Sequence, residues 1–300
     1  MNTALKVIGI TVWLGASVVF AAGPAESRPT TQPVQGQEDE HGWTAFVSME
    51  NAPFPHASRE NGFTHGGRTF ARDPHYTDST VALFIPRAFQ PGERTDLLIY
   101  FHGHMTNVRR ALDRQRLREQ VVASGQNVVL VFPQGPKEAA DSGGGRLEEP
   151  GALKRLVDEV METLETAGRV KSRDVGRVLL AGHSGAYRVI SFCLEHGGLD
   201  DSVKDVCLLD ATYDRLDAFA DWAARRRDDR LFSIFTAHLA DENKELMQKL
   251  TAQSVPLIRV TNDEGAKAAL RTGRIVFYAV SNTDHNGTVQ WLEPWLRTAR

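Results

Sequence analysis

One pattern constrains this chain more than any other. Short, almost uninterrupted apolar runs alternate with longer stretches whose apolar residues recur every three or four positions. The runs at 80–86, 96–101, 127–132, 177–181, 203–209, 231–236 and 275–281 read as strands, with a further short one within 255–260. The stretches 107–124, 150–167, 186–195, 216–225, 242–253 and 288–297 have helical spacing. A strand without polar alternation is buried on both faces. Strands of this kind separated by amphipathic helices predict an α/β domain, with a mostly parallel sheet covered on both sides.

In such a sheet, ligands gather at the carboxyl ends of the strands. The residues directly after each run are therefore the first candidates for function. They are His102-Gly103-His104, Pro133-Gln134-Gly135, Gly182-His183-Ser184-Gly185, Asp210-Ala211-Thr212, Ala237-His238 and Asn282-Thr283-Asp284-His285.

The N-terminus stands apart from this pattern. Lys6 is the only charged side chain before Glu26, residues 7–20 are mostly apolar, and the small residues Ala21, Ala22, Gly23 and Ala25 follow. A charged start, an apolar run and a small-residue exit predict a signal peptide over 1–25 and a secreted or periplasmic product. The run is short for a bilayer-spanning helix, so no stable membrane insertion is expected after cleavage. Residues 26–40, rich in Pro, Gln, Ser, Thr and acid, are expected to be a disordered linker. One domain then fills 41–300.

Composition removes several classes of function. A net charge of −3 with no long basic run argues against nucleic acid as a partner. Two cysteines, Cys193 and Cys207, exclude a disulfide scaffold or a cysteine-based zinc module. Both lie in apolar stretches and are expected to remain unpaired even in an oxidising compartment. The oligomeric state is not legible.

The segment 182–186, Gly-His-Ser-Gly-Ala, sits directly between a predicted strand and a predicted helix. That is the context of a nucleophile elbow, a turn so sharp that the flanking residues must be small. Gly182 and Ala186 meet this demand, Ala186 being one methyl larger than the usual glycine. With Ser184 here and Asp210 and His285 following at later strand ends, the chain resembles the α/β-hydrolase superfamily over the whole of 41–300.

The resemblance implies a three-layer α/β-hydrolase fold, with helices on both faces of a twisted sheet and no large lid domain. It implies that Ser184 is the nucleophile and His285, after the last strand, the base. Asp210 is the preferred acid. Asp241, after the following strand, is the alternative, although it also reads as a helix N-cap. The oxyanion hole would be formed by the main-chain N–H groups of Gly185 and His104. The implied reaction is cleavage of a carboxylic ester through an acyl-enzyme, on a small-molecule or polymeric ester or amide substrate. A peptidase or amidase, and a non-catalytic binding protein on the same fold, are the alternatives. No cofactor is expected. His102-x-His104 with an Asp and His285 could in principle ligate zinc, but no zinc-site spacing such as HExxH supports a metal. The glycine-bearing segment 137–149 either lines or gates the pocket, or is a solvated loop.

Overall fold

The computed structural model describes Met1 and residues 34–300. The signal-peptide reading and the first part of the linker reading lie outside the described residues. Ten strands form one sheet: β1 (Gly36–Glu38), β2 (Gly42–Ser48), β3 (Thr80–Pro86), β4 (Thr95–Phe101), β5 (Val128–Pro133), β6 (Val175–His183), β7 (Val203–Leu209), β8 (Arg230–Phe235), β9 (Ile258–Val260) and β10 (Ile275–Ala279). Their spatial order is β1-β2-β3-β5-β4-β6-β7-β8-β10-β9. From β5 to β9 every pairing is parallel, while β1, β2 and β3 add an antiparallel edge.

Alternation along the strands divides the core into two layers. In β4, Leu97, Ile99 and Phe101 face one layer, whereas Leu98 and Tyr100 face the other. The helices α1 (Val108–Arg114), α2 (Leu117–Ser124), α3 (Ala152–Thr166), α4 (Tyr187–His196), α5 (Leu216–Arg225), α6 (Ala240–Ala252), α7 (Asp263–Thr272) and α8 (Leu292–Leu296) complete the framework. Helices α3 to α6 cover the first layer, and α1, α2, α7 and α8 the second. Among the described residues no helix is long and apolar enough to cross a membrane. No separate lid domain stands over the strand ends in the unit that holds residues 34–300.

Several expectations need correction. The end of the supposed linker is folded: Gly36–Glu38 pairs antiparallel with β2. Its acids have partners there, because Glu38 pairs with Arg169 and Asp39 pairs with Arg118 and accepts from the main-chain N–H of His41 at 2.9 Å. The single helix expected over 107–124 is two helices, broken at Arg116 with φ +52°. Val108, Ala111 and Leu112 face the sheet, and the next buried residue is Leu117. Five residues is too long a step for one helical face, and the left-handed residue resets the phase. The closing segment 288–297 is likewise a 3-10 turn (Asn286–Trp291) followed by the short α8.

Helix α7 and strand β2 escaped the sequence reading. Helix α7 is capped by Asn262, whose side chain accepts from the N–H of Gly265 at 2.8 Å. Cys193 and Cys207 are free and buried, and they lie in different core layers with the sheet between them.

Candidate active site

Ser184 follows β6 with φ +58° and is succeeded by a 3-10 turn that leads into α4. The turn is closed by steric fit. A Cβ on Gly182 would lie 2.5 Å from Cβ of Ala186, so glycine on one side accommodates the extra methyl on the other. The loop after β4 presses against the same serine. A Cβ on Gly103 would lie 2.6 Å from Cβ and 3.2 Å from Oγ of Ser184. The main chain of 103–104 is thereby brought beside Ser184. Among the described residues the main-chain N–H of His104 has no hydrogen-bond partner.

The loop is held from behind. His102 is buried and donates Nδ1–H to the carbonyl of Gly103 at 2.7 Å, while its Nε2 accepts from the N–H of Gly135 at 3.1 Å. Burial pushes its pKa down to about 4, so the ring is neutral at physiological pH. His104 has its Nε2 at 2.8 Å from Ser142 Oγ. Its pKa is lowered, chiefly by burial.

Segment 137–149 is a packed wall. Met105 N–H donates to Ala139 at 3.0 Å and Glu138 N–H to Thr106 at 2.7 Å, lacing the segment to the loop after β4. Arg59 holds the buried Asp141 with two hydrogen bonds, of 2.6 and 2.9 Å. Arg188 holds Glu148 in the same way, at 2.6 and 2.7 Å. These clamps leave the glycines of 143–145 buried, so the solvated-loop reading is set aside.

Asp210 follows β7 with φ +49° and is fully buried. Its Oδ1 accepts from the N–H of Thr236 at 2.9 Å, and its Oδ2 accepts from the Thr236 hydroxyl and from Nδ1 of His285, each at 2.8 Å. Burial alone would raise this carboxyl. The hydrogen bonds from His285 and Thr236 outweigh it and hold the pKa below the ordinary value. Asp241 behaves differently. It is exposed in the first turn of α6, where Leu239 is the N-cap residue, and it makes no capping bond. The N-cap expectation for Asp241 therefore fails, since the helix begins two residues too early for it. A favourable interaction with the helix dipole remains.

His285 starts the 3-10 turn after β10. Its carbonyl accepts from Nε2 of His183 at 3.0 Å and from the Thr288 hydroxyl at 2.8 Å. The rings of His183 and His285 lie 4.5 Å apart between centroids. His183 is buried and its pKa is pushed down to about 4, first by burial and then by His285, so it too is neutral. Ser184 and His285 line one open cavity of about 1090 Å³, shared with Gly103, His104 and Arg110. No hydrogen bond joins Ser184 to His285 among the described residues. In enzymes without substrate such contacts are often long and close only in the productive complex.

The structure thus brings Ser184, Gly103-His104, Gly185, Asp210 and His285 to one edge of the sheet and leaves Asp241 out of the hydrogen-bonded set. The sequence reading named His183 and His238 among the strand-end candidates but did not read their roles, nor those of Thr236 and Tyr213, in this polar network. All but Tyr213 lie at strand ends, which was the available signal. Asp210, His238 and His285 place possible ligand atoms within 4.8 Å of one another and are the described group that could hold a metal ion. The facing atoms of all three already take part in hydrogen bonds.

No family model matches the sequence, and no curated protein matches it. Solved structures do. A feruloyl esterase module from Clostridium thermocellum, in complex with sinapinate, is 12% identical with a TM-score of 0.50, over 73% of this chain and 82% of that one. An S-formylglutathione hydrolase from Agrobacterium tumefaciens is 12% identical with a TM-score of 0.45, over 88% of this chain and 97% of that one. The chain has the α/β-hydrolase fold, as its resemblance implied.

Proposed function

We propose that this chain is a serine hydrolase that cleaves carboxylic esters through an acyl-enzyme on Ser184. One observation carries the reading. A serine with φ +58° on a strand–turn–helix elbow shares a cavity with His285, whose Nδ1 is 2.8 Å from the buried Asp210. Asp210 accepts a hydrogen bond from Nδ1–H and so fixes the tautomer that leaves Nε2 free as a base. His285 takes the Ser184 proton as Oγ attacks the carbonyl carbon, and the N–H groups of Gly185 and His104 stabilise the oxyanion. His285 then protonates the departing alcohol. Water repeats the sequence on the acyl-enzyme, releasing the acid and restoring Ser184. The open cavity suits small or polymeric esters. Export to a secreted or periplasmic location is part of the proposal and rests on residues 1–25.

The test is covalent labelling with a fluorophosphonate, combined with hydrolysis of acyl esters of varied chain length and of peptide amides. Wild type should be labelled at Ser184. Ser184→Ala should remain folded and lose roughly 10³-fold or more in turnover. An unlabelled wild type would favour a binding protein, and faster cleavage of peptide amides a peptidase. Chelators should leave activity unchanged. Inactivation by a chelator would instead favour a metal held by Asp210, His238 and His285.

A further inference from the structure

Asp210 serves more than one histidine. His238 lies in the 3-10 turn after β8, half-exposed at 45%, with its Nδ1 2.7 Å from the Thr236 hydroxyl and 3.6 Å from Oδ2 of Asp210. On its other side, Nε2 is 3.0 Å from the hydroxyl of Tyr213. Its ring stands edge-on to that of His285, with centroids 5.3 Å apart. The Tyr213 ring also meets the His285 ring edge-on, at 6.5 Å.

The protons along this line can be assigned by elimination. An ionised carboxylate only accepts hydrogen bonds. The single hydroxyl hydrogen of Thr236 is therefore spent on Asp210, and its oxygen must accept from His238. That places a hydrogen on Nδ1 of His238. In the neutral ring Nε2 is then a lone pair, and Tyr213 donates to it. The line runs from Tyr213 through His238 and Thr236 to Asp210, with one direction throughout.

We propose that His238 is a positioning residue for the reaction, acting through Thr236 to hold Asp210 and His285 in their working geometry. The inference rests on the hydrolase reading above. His238 keeps the Thr236 hydroxyl aimed at Oδ2, and its ring limits the swing of the His285 ring. A half-exposed histidine contributes little packing, so a purely structural role would leave small traces in either stability or rate. Loss of the Nδ1 donor frees the Thr236 hydroxyl to rotate away from Asp210. Without that hydroxyl, Asp210 retains a single hydrogen bond to Oδ2, from His285.

Four variants test this, each assayed for ester turnover and for the rate of fluorophosphonate labelling. Loosening the Thr236 hydroxyl's bond to the charged Asp210 predicts that His238→Ala lowers kcat about tenfold, with KM and melting temperature nearly unchanged. His238→Asn, whose amide N–H falls close to the position of Nδ1, should recover most of the loss. Thr236→Val should lose at least as much as His238→Ala, and the double variant should lose no more than Thr236→Val, since both cut one line. A His238→Ala protein with wild-type kcat and labelling rate overturns the inference alone. Additive losses in the double variant, or no rescue by His238→Asn, overturn it as well. A wild type that is not labelled at all overturns the hydrolase reading and this inference together.

Discussion

Strand β7 carries two aspartates that water does not reach, Asp205 inside the strand and Asp210 just beyond its end. Asp205 is enclosed on every side. Its Oδ2 accepts from Nε of Arg230 at 2.8 Å and its Oδ1 from the indole N–H of Trp295 at 2.9 Å, while Arg230 also donates to the carbonyl of Leu270. Asp210 is equally buried, but one of its partners, His285, lines the open cavity. The first carboxylate ties the sheet to α7 and α8. The second holds a ring that lines the open cavity. Burial and good hydrogen bonding are common to both, so neither property singles out the candidate catalytic carboxylate. What distinguishes Asp210 is a partner with an open face, on the carboxyl edge of the sheet.

The sharpest way to break this comparison is to neutralise each carboxylate in turn. Asp210→Asn should remain folded and lose roughly four orders of magnitude in turnover, because the amide no longer fixes the working tautomer of His285. Steady-state ester kinetics on protein with an unchanged circular dichroism spectrum would check it, and near-normal turnover would end the functional half of the comparison. Asp205→Ala should do the reverse. It leaves Arg230 buried and unpaired, which costs about 3–5 kcal/mol of stability. Urea unfolding would read that loss, and the folded fraction should keep its specific activity.

A second effect on stability is set by pH. His102 and His183 are buried as neutral rings with pKa values of about 4, whereas the unfolded chain takes up those protons near pH 6.5. Between these values the unfolded state binds protons that the native state refuses. The stability these two rings contribute therefore falls as the pH drops from about 6.5 to about 4, by up to about 1.4 kcal/mol per pH unit for each histidine, while Asp205, whose carboxyl burial pushes up to about 7, works in the opposite sense and offsets part of the loss. Asp210, held below its ordinary value, adds a loss of the same sign at still lower pH. Urea midpoints across this range should decline, and His183→Gln should flatten the slope. A level profile would contradict the burial of both rings. The smallest effect belongs to Asp241→Asn. This exposed first-turn acid should cost less than about 1 kcal/mol and leave turnover intact. A large loss of turnover would move the role of acid from Asp210 to Asp241.

Much of the framework could be read along the chain. The runs 80–86 and 203–209 match β3 and β7 residue for residue, the first through its continuous apolar signature and the second through its apolar residues on either side of Lys204 and Asp205. Helix α5 matches for the same kind of reason, its buried residues recurring at helical spacing. The edges were less legible. Strand β1 is polar and is held by pairing with β2 and by ion pairs to distant arginines, none of which leaves a local signal. Helix α7 is short and mostly polar on its outer face, and its clearest mark is the Asn262 cap.

The sequence by itself determined the layers, the elbow at Ser184 and the set of strand ends at which chemistry could gather. These follow from local rules: side-chain periodicity, turn sterics and the direction of a parallel sheet. Which strand-end residues meet was decided by the tertiary structure. Asp210 and His285 are 75 positions apart and become partners because β7, β8 and β10 lie side by side, with β9 displaced to the edge. The choice between Asp210 and Asp241 as the partner of His285, and the joining of Thr236, His238 and Tyr213 to the same carboxylate, depend on distances across neighbouring strands. Hydrogen bonds are sensitive to a few tenths of an ångström, and such distances exist only once the sheet has formed.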